Sequence, residues 1–371
     1  MPLLDLVDAV ASDVIRSSAA QVDRTGDFPG TSIQALREAG LLGLAQPVAV
    51  GGLGGTPGDC ALGVRRVAQA CASTAMIWCM HLCGAVVIQA HGSDDAKRAV
   101  ASGAALTTLA FSEAGSRSHF WAPLSTARRV AGGVRLDAKK SWVTSASRAD
   151  LYVWSSQPIE AEGPSTIWLV PTDAPGLSTH GPFDGLGLRG NDSSPVTAEG
   201  VVLPESARLG ADGGGFGVMM EIVLPYFNLM NAGCSLGIAE AAVAAAVTHC
   251  AGTRYAHLDS ALRDLPTIRN SLARMRCKAD MGHALLLDAI AAVEGGRPDA
   301  MLRVLEVKAV AAETALEVTA LAMRVCGGAA FRKDVGVERH MRDAQAASVM
   351  APTTDVLYDF IGKAITGMEL F

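Results

Sequence analysis

Aromatic residues make up only 5% of this 371-residue chain, although half of it is hydrophobic. Its core must therefore be aliphatic and alanine-rich, which suits closely packed helices better than an aromatic-heavy β-sandwich. Long basic runs are missing and the net charge is −6, so the electrostatic footprint of a nucleic-acid-binding protein is absent. The opening residues, MPLLDLVDAVASDVIRSS, place acids early and lack a basic segment, so no secretory signal is expected. Apolar stretches are interrupted by Arg, Glu, His or Gly before the ~18 residues a membrane span needs. No membrane span and a soluble, cytoplasmic protein are the expectations. A disulfide framework is also lacking. The eight cysteines are scattered through helix-like segments of a large chain, the pattern of reduced thiols. Cys79, His81 and Cys83 form one grouping of metal-ligand type. Positions 79 and 83 share a helix face while 81 points elsewhere, so no metal is expected.

What is present divides the chain into three segments. Residues 1–105 read as helical: Ala35-Leu36-Arg37-Glu38-Ala39-Gly40 ends one helix on a glycine cap, Gly51–Gly55 is a loop, and 58–91 is helical and apolar. Residues 106–212 change character, with strand-like Ala105–Ala110, Leu151–Trp154 and Thr166–Val170 separated by Pro, Gly and Asp. Gly132-Gly133 predicts a hairpin turn between Thr126–Val130 and Val134–Leu136. Residues 213–371 return to helix, with apolar periodicity over 239–247, 272–293 and 304–325. Ala211-Asp212-Gly213-Gly214-Gly215-Phe216-Gly217 is not a dinucleotide loop, since no βαβ unit surrounds it. It reads as a linker.

Several motifs carry a family resemblance. Lys140-Ser141-Trp142-Val143-Thr144 is followed by Ala149-Asp150-Leu151; Phe111-Ser112-Glu113-Ala114-Gly115 ends a strand; Gly187-Leu188-Arg189-Gly190 precedes Val201-Val202-Leu203-Pro204; Cys326-Gly327-Gly328 ends a helix; and Arg342-Asp343 lies eight residues before Ala351-Pro352-Thr353. In this order the chain resembles the acyl-CoA dehydrogenase superfamily over nearly its whole length. The resemblance implies an α+β fold: an N-terminal helical domain, a middle β-barrel domain and a C-terminal four-helix bundle. It implies an FAD-dependent oxidoreductase acting on an acyl thioester of coenzyme A or a carrier protein, with an electron acceptor or O₂ as second partner. A homo-oligomer, dimer or tetramer, is expected. The implied cofactor contacts are Trp142 against the flavin ring, the Ser112 and Thr144 hydroxyls near it, and Arg254 at the pyrophosphate of a neighbouring subunit. Gly327 and Gly328 would face the adenine end, with Thr353 and Asp355 nearby. An isoalloxazine needs such an apolar plate with a few polar donors; read without the resemblance, the Trp142 segment is a β-hairpin with a buried tryptophan.

The family's catalytic base is missing. The glutamate usual in the Arg-Asp signature is replaced by Ala351, and its alternative location on a helix of the third domain aligns with Phe227 and Asn228. Ala351 and Phe227 cannot accept a proton, so the catalytic residue is unassigned. Tyr226, Glu221, Asp355 and His119 are substitutes by residue type. His119 is alternatively a solvent-facing loop residue, and Phe120 and Trp121 either cap the substrate cavity or fill the domain interface. Three functions remain open: an acyl-thioester flavoenzyme of non-standard chemistry, a flavin monooxygenase on the same fold, or a non-catalytic partner subunit.

Overall fold

The computed structural model describes residues 2–116 and 119–370. Helices α1 (Leu3–Val10), α2 (Arg16–Thr25) and α3 (Gly30–Glu38) lead to Gly40, whose φ of 72° ends the helical path as expected. Helix α4 (Pro57–Ala70) opens with a reciprocal cap: Asp59 N–H donates to the Thr56 hydroxyl at 3.1 Å, and Thr56 N–H donates to the Asp59 carboxylate at 2.9 Å. Cys71 separates it from α5 (Ala72–His91), which is buried along most of its length. Helix α6 (Asp94–Ala101) completes the segment.

Eight strands follow: β1 (Thr107–Ala110), β2 (Thr126–Val130), β3 (Gly133–Val143), β4 (Leu151–Ser156), β5 (Thr166–Pro171), β6 (Leu177–Thr179), β7 (Ser194–Leu203) and β8 (Arg208–Leu209). They form two four-stranded sheets, ordered β1-β4-β5-β8 and β2-β3-β7-β6. Tyr152, Trp154, Trp168, Val196 and Val201 fill the core between them. The predicted hairpin occurs with Val130 opposite Gly133. The Gly-rich linker is tied to the sheet by Asp212, whose carboxylate accepts the N–H groups of Ile159, Glu160 and Ala161 and the Thr166 hydroxyl. Burial raises its pKa, but those four bonds outweigh it and hold the group down at about 2.

A short turn, α7 (Gly215–Gly217), enters the long helices α8 (Leu224–Gly252), α9 (Pro266–Glu294) and α10 (Ala300–Cys326), then α11 (Val337–Val349) and α12 (Thr354–Thr366). Helix α4 lies so close to α8 that a Cβ on Gly233 or Gly237 would stand 2.4 or 2.3 Å from the carbonyl oxygens of Ala61 and Arg65. Two helices, Ala72–His91 and Gly215–Gly252, are long and apolar enough by length and composition to cross a membrane. Of their most apolar windows 89% and 61% is buried inside the protein, the behaviour of core helices.

Candidate active site

A cavity of about 780 Å³ opens where the three segments meet. Met76 and Met80 of α5, the end of β1 through Ala114, the bend at Ser141, Trp142 and Thr144, part of the loop 183–193, Phe227 of α8 and part of the stretch 342–351 line it. Its rim carries unusually exposed apolar side chains: Trp142, Leu186 and Val349 are 71%, 65% and 73% accessible. Such an uncovered apolar rim is the mark of a surface that receives a ligand or partner.

Trp142 is turned outward by backbone geometry. Along β3 the buried positions alternate through Val134, Leu136, Ala138 and Lys140, so period two would bury Trp142 as well. A register shift between Lys140 and Val143 interrupts the pairing with β7, and Trp142 adopts φ 56°. That bulge re-aims the side chain, and Val143 becomes the buried neighbour. The indole meets Phe183 edge-on with ring centroids 6.5 Å apart. The buried-tryptophan hairpin is thereby excluded.

Ser112 and Thr144 both line the cavity. Thr144 is buried, its hydroxyl 3.3 Å from that of Ser193, while the Ser112 carbonyl accepts Ser141 N–H at 2.9 Å. Beneath them lies a buried ion pair. Lys140 Nζ donates to Glu113 Oε1 at 2.6 Å and to the carbonyl and hydroxyl of Ser155 at 2.7 and 2.9 Å. The Glu113 carboxylate also accepts Leu124 N–H, at 2.7 Å, and Ser125 N–H. Burial pushes Lys140 down to about 8, with Glu113 opposing. This network joins the end of β1 to β3 and fixes the spacing between Ser112 and Trp142.

The inner floor contains the two residues that the sequence resemblance sets at base positions. Phe227 and Ala351 line the same cavity. Glu113 and Arg342 are the ionisable side chains among its described lining residues, and both are engaged. Arg342 is forked onto Asp23 at 2.6 and 2.7 Å and bonded to Glu338 at 2.7 Å. Its neighbour Asp343 is buried and accepts Leu188 N–H at 2.7 Å; burial raises it to about 6. Together they dock the 184–190 loop, where Arg189 also donates to the Asp23 carbonyl.

The four substitute bases do not line the cavity. Tyr226 is pushed up to about 12 by burial, far from a base at neutral pH. His119 is exposed, with its ring 5.1 Å from that of Trp121. Phe120 does line the cavity, and Trp121 packs on Phe360 of α12 at 5.9 Å. The two aromatics thus divide the roles of cavity wall and interface filler; Arg117 and Ser118 in the same loop lie outside the described residues.

The other expected cofactor residues are not among those that line this cavity. Arg254 is exposed and paired with Asp259 at 2.6 Å. Gly327 (φ 56°) and Gly328 are exposed at the end of α10, and a Cβ on either would meet nothing within 4 Å. Thr353 is the residue preceding α12 and Asp355 is exposed in its first turn. His81 is wholly structural: one ring nitrogen lies 2.9 Å from the Leu42 carbonyl, and the other accepts Thr107 N–H at 3.1 Å. Both nitrogens are thereby engaged.

Sequence reasoning missed Lys308. It is fully buried on α10, and its Nζ donates to the carbonyls of Ala347, Met350 and Pro352 at 3.1, 3.1 and 2.8 Å. A lysine on the apolar face of Val304, Leu305, Ala311 and Ala312 was the available signal, since lysine is rarely buried without a task.

Models of the acyl-CoA dehydrogenase N-terminal, middle and C-terminal domains match residues 2–105, 108–201 and 213–366. A probable acyl-CoA dehydrogenase, YngJ of Bacillus subtilis, is 28% identical, covering 95% of this chain and 94% of its own. Cyclohex-1-ene-1-carbonyl-CoA dehydrogenase of Geobacter metallireducens is also 28% identical, covering 98% and 96%. Among solved structures, butyryl-CoA dehydrogenase from Megasphaera elsdenii superposes with a TM-score of 0.91 at 23% identity, covering 98% and 97%. The prolyl acyl carrier protein oxidase AnaB superposes at 0.88 with 19% identity, covering 98% and 97%. Three domain models in order and relatives aligned end to end leave one assignment: this chain belongs to the acyl-CoA dehydrogenase family.

Proposed function

We propose that the chain is an FAD-binding oxidoreductase acting on an acyl thioester, by a route that uses no carboxylate from the cavity wall. The observation that carries this is the pairing of an outward Trp142 and the Ser112 and Thr144 hydroxyls at one end with a floor of Ala351 and Phe227 at the other. The residues fit a flavin ring: an exposed aromatic plate, two hydroxyls and a deep apolar space beside them. When bound, the flavin would supply electron acceptance or, once reduced, oxygen activation. The protein would hold the ring against Trp142, orient it through Ser112 and Thr144, and keep water out with Phe111, Phe120 and Phe227. The exposed Gly327-Gly328 turn, Arg254 and the 81%-exposed Phe331 are proposed to meet the rest of the cofactor in a dimer or tetramer.

A thioester's α-proton must leave through a group within about 3 Å. With Glu113 and Arg342 engaged, the acceptor is water or the substrate itself, or the reaction does not remove that proton. The likeness to AnaB, a prolyl acyl carrier protein oxidase, supports including carrier-protein thioesters beside coenzyme A. The test is the visible spectrum of the purified protein, first alone and then with acyl-CoAs and acyl-carrier thioesters under argon. Bound flavin whose spectrum is perturbed by a thioester without rapid bleaching supports the proposal. Oxygen consumption requiring a flavin reductase would instead assign a monooxygenase, and colour gained only with a co-expressed partner would assign a non-catalytic subunit. A chain that never binds flavin refutes the reading.

A further inference from the structure

Helix α11 ends at Val349, two residues before Ala351. The last carbonyls of any helix have no partner within it. Here Lys308 Nζ supplies one, bonding Ala347, Met350 and Pro352. The latter two flank Ala351 on either side, so one side chain determines where position 351 sits on the cavity floor. An ammonium has three N–H donors and finds three carbonyls; a neutral amine could satisfy only two. Burial drives the group down to about 7 with no carboxylate beside it; in its protonated form its three N–H donors match the three carbonyls. The ring of Phe227, the other floor residue, lies 5.9 Å from Nζ and offers its face to the cation.

We infer that Lys308 is a charged positioning residue: it fixes the 347–352 turn and places a positive charge behind Ala351, so that the cavity floor favours an anionic group there. This rests on reading the cavity as the acyl-thioester site. The anionic group would be a substrate carboxylate or the enolate-like oxygen of the reacting thioester, and the role is independent of whether flavin is loaded.

A thiol placed at position 351 reports the charge directly. In a Cys277→Ser background, which removes the exposed cysteine, Ala351→Cys is alkylated with iodoacetamide across pH 5–10. Nearby cations lower a thiol pKa, whereas a bare helix C-terminus raises it. The expected value lies at least about one unit below the ordinary ~8.5. Lys308→Met should raise it by about one unit or more, and Lys308→Arg should largely retain the lowered value. Thermal unfolding checks that each variant is folded. If Lys308→Met does not fold, the single Ala351→Cys protein decides: a thiol titrating at or above ~8.5 overturns the inference. A lowered thiol pKa unchanged by Lys308→Met overturns it as well. Flavin content, measured on the same samples, distinguishes failure of this inference from failure of the functional proposal.

Discussion

Replacing Ala351 by Glu returns a proton acceptor to the cavity floor, and the structure sets what that should achieve. Ala351 is half-buried and lines the cavity, so the longer side chain has space to enter. The flanking carbonyls of Met350 and Pro352 are held by Lys308, whose charge would keep the new carboxylate ionised. A positioned general base contributes roughly 10²–10⁴-fold, or about 3–5 kcal/mol of barrier at 1.36 kcal/mol per decade. We expect Ala351→Glu to increase the rate of anaerobic flavin bleaching by a saturated acyl-CoA by at least about 100-fold. Ala351→Gln, similar in shape but without a base, should show no gain. Stopped-flow absorbance at matched flavin loading measures both. Equal rates for the Glu and Gln variants would refute the reasoning, because the cavity would then not place the α-carbon near position 351.

Other expected outcomes follow from the same geometry. Trp142→Ala should weaken FAD retention, read as flavin lost on gel filtration, by about tenfold or more, while melting temperature changes little because the side chain is 71% exposed. Lys140→Met should destabilise the fold by about 3–5 kcal/mol in urea, because it leaves the buried Glu113 without its counter-charge. Asp343 is raised by burial from 3.8 to about 6, so between those values the folded chain holds a proton that the unfolded chain has released. Stability due to this group therefore falls as pH rises through that window. Asp343→Asn should gain on the wild type by about 3 kcal/mol between pH 4 and pH 8, two units at 1.36 kcal/mol each, as measured by denaturant unfolding at each pH.

Much of the fold was legible because it is written in local patterns. Gly40 and Gly132-Gly133 mark a helix end and a hairpin through backbone freedom alone, and the apolar periodicity of α8, α9 and α10 requires no tertiary knowledge. Trp142 shows the limit. Its strand alternates correctly up to Lys140, and the bulge that turns the indole outward comes from pairing with β7, some fifty residues on. The buried Lys140 is likewise intelligible only with Glu113, and Lys308 only with carbonyls 39–44 residues away. Ala351 and Phe227 were singled out through family likeness alone. That both face one cavity is a fact of three-dimensional packing, as is the absence of Arg254 and Gly327-Gly328 from its lining.

The most direct test of the account is an anaerobic titration of the wild-type, flavin-loaded protein with a saturated acyl-CoA, followed by visible absorbance. About one flavin per chain is expected, with a spectrum perturbed as the thioester binds and no rapid bleaching. A protein that holds no flavin, or one bleached rapidly by the thioester, would contradict it: the first removes the cofactor, and the second demands a base that this cavity lacks.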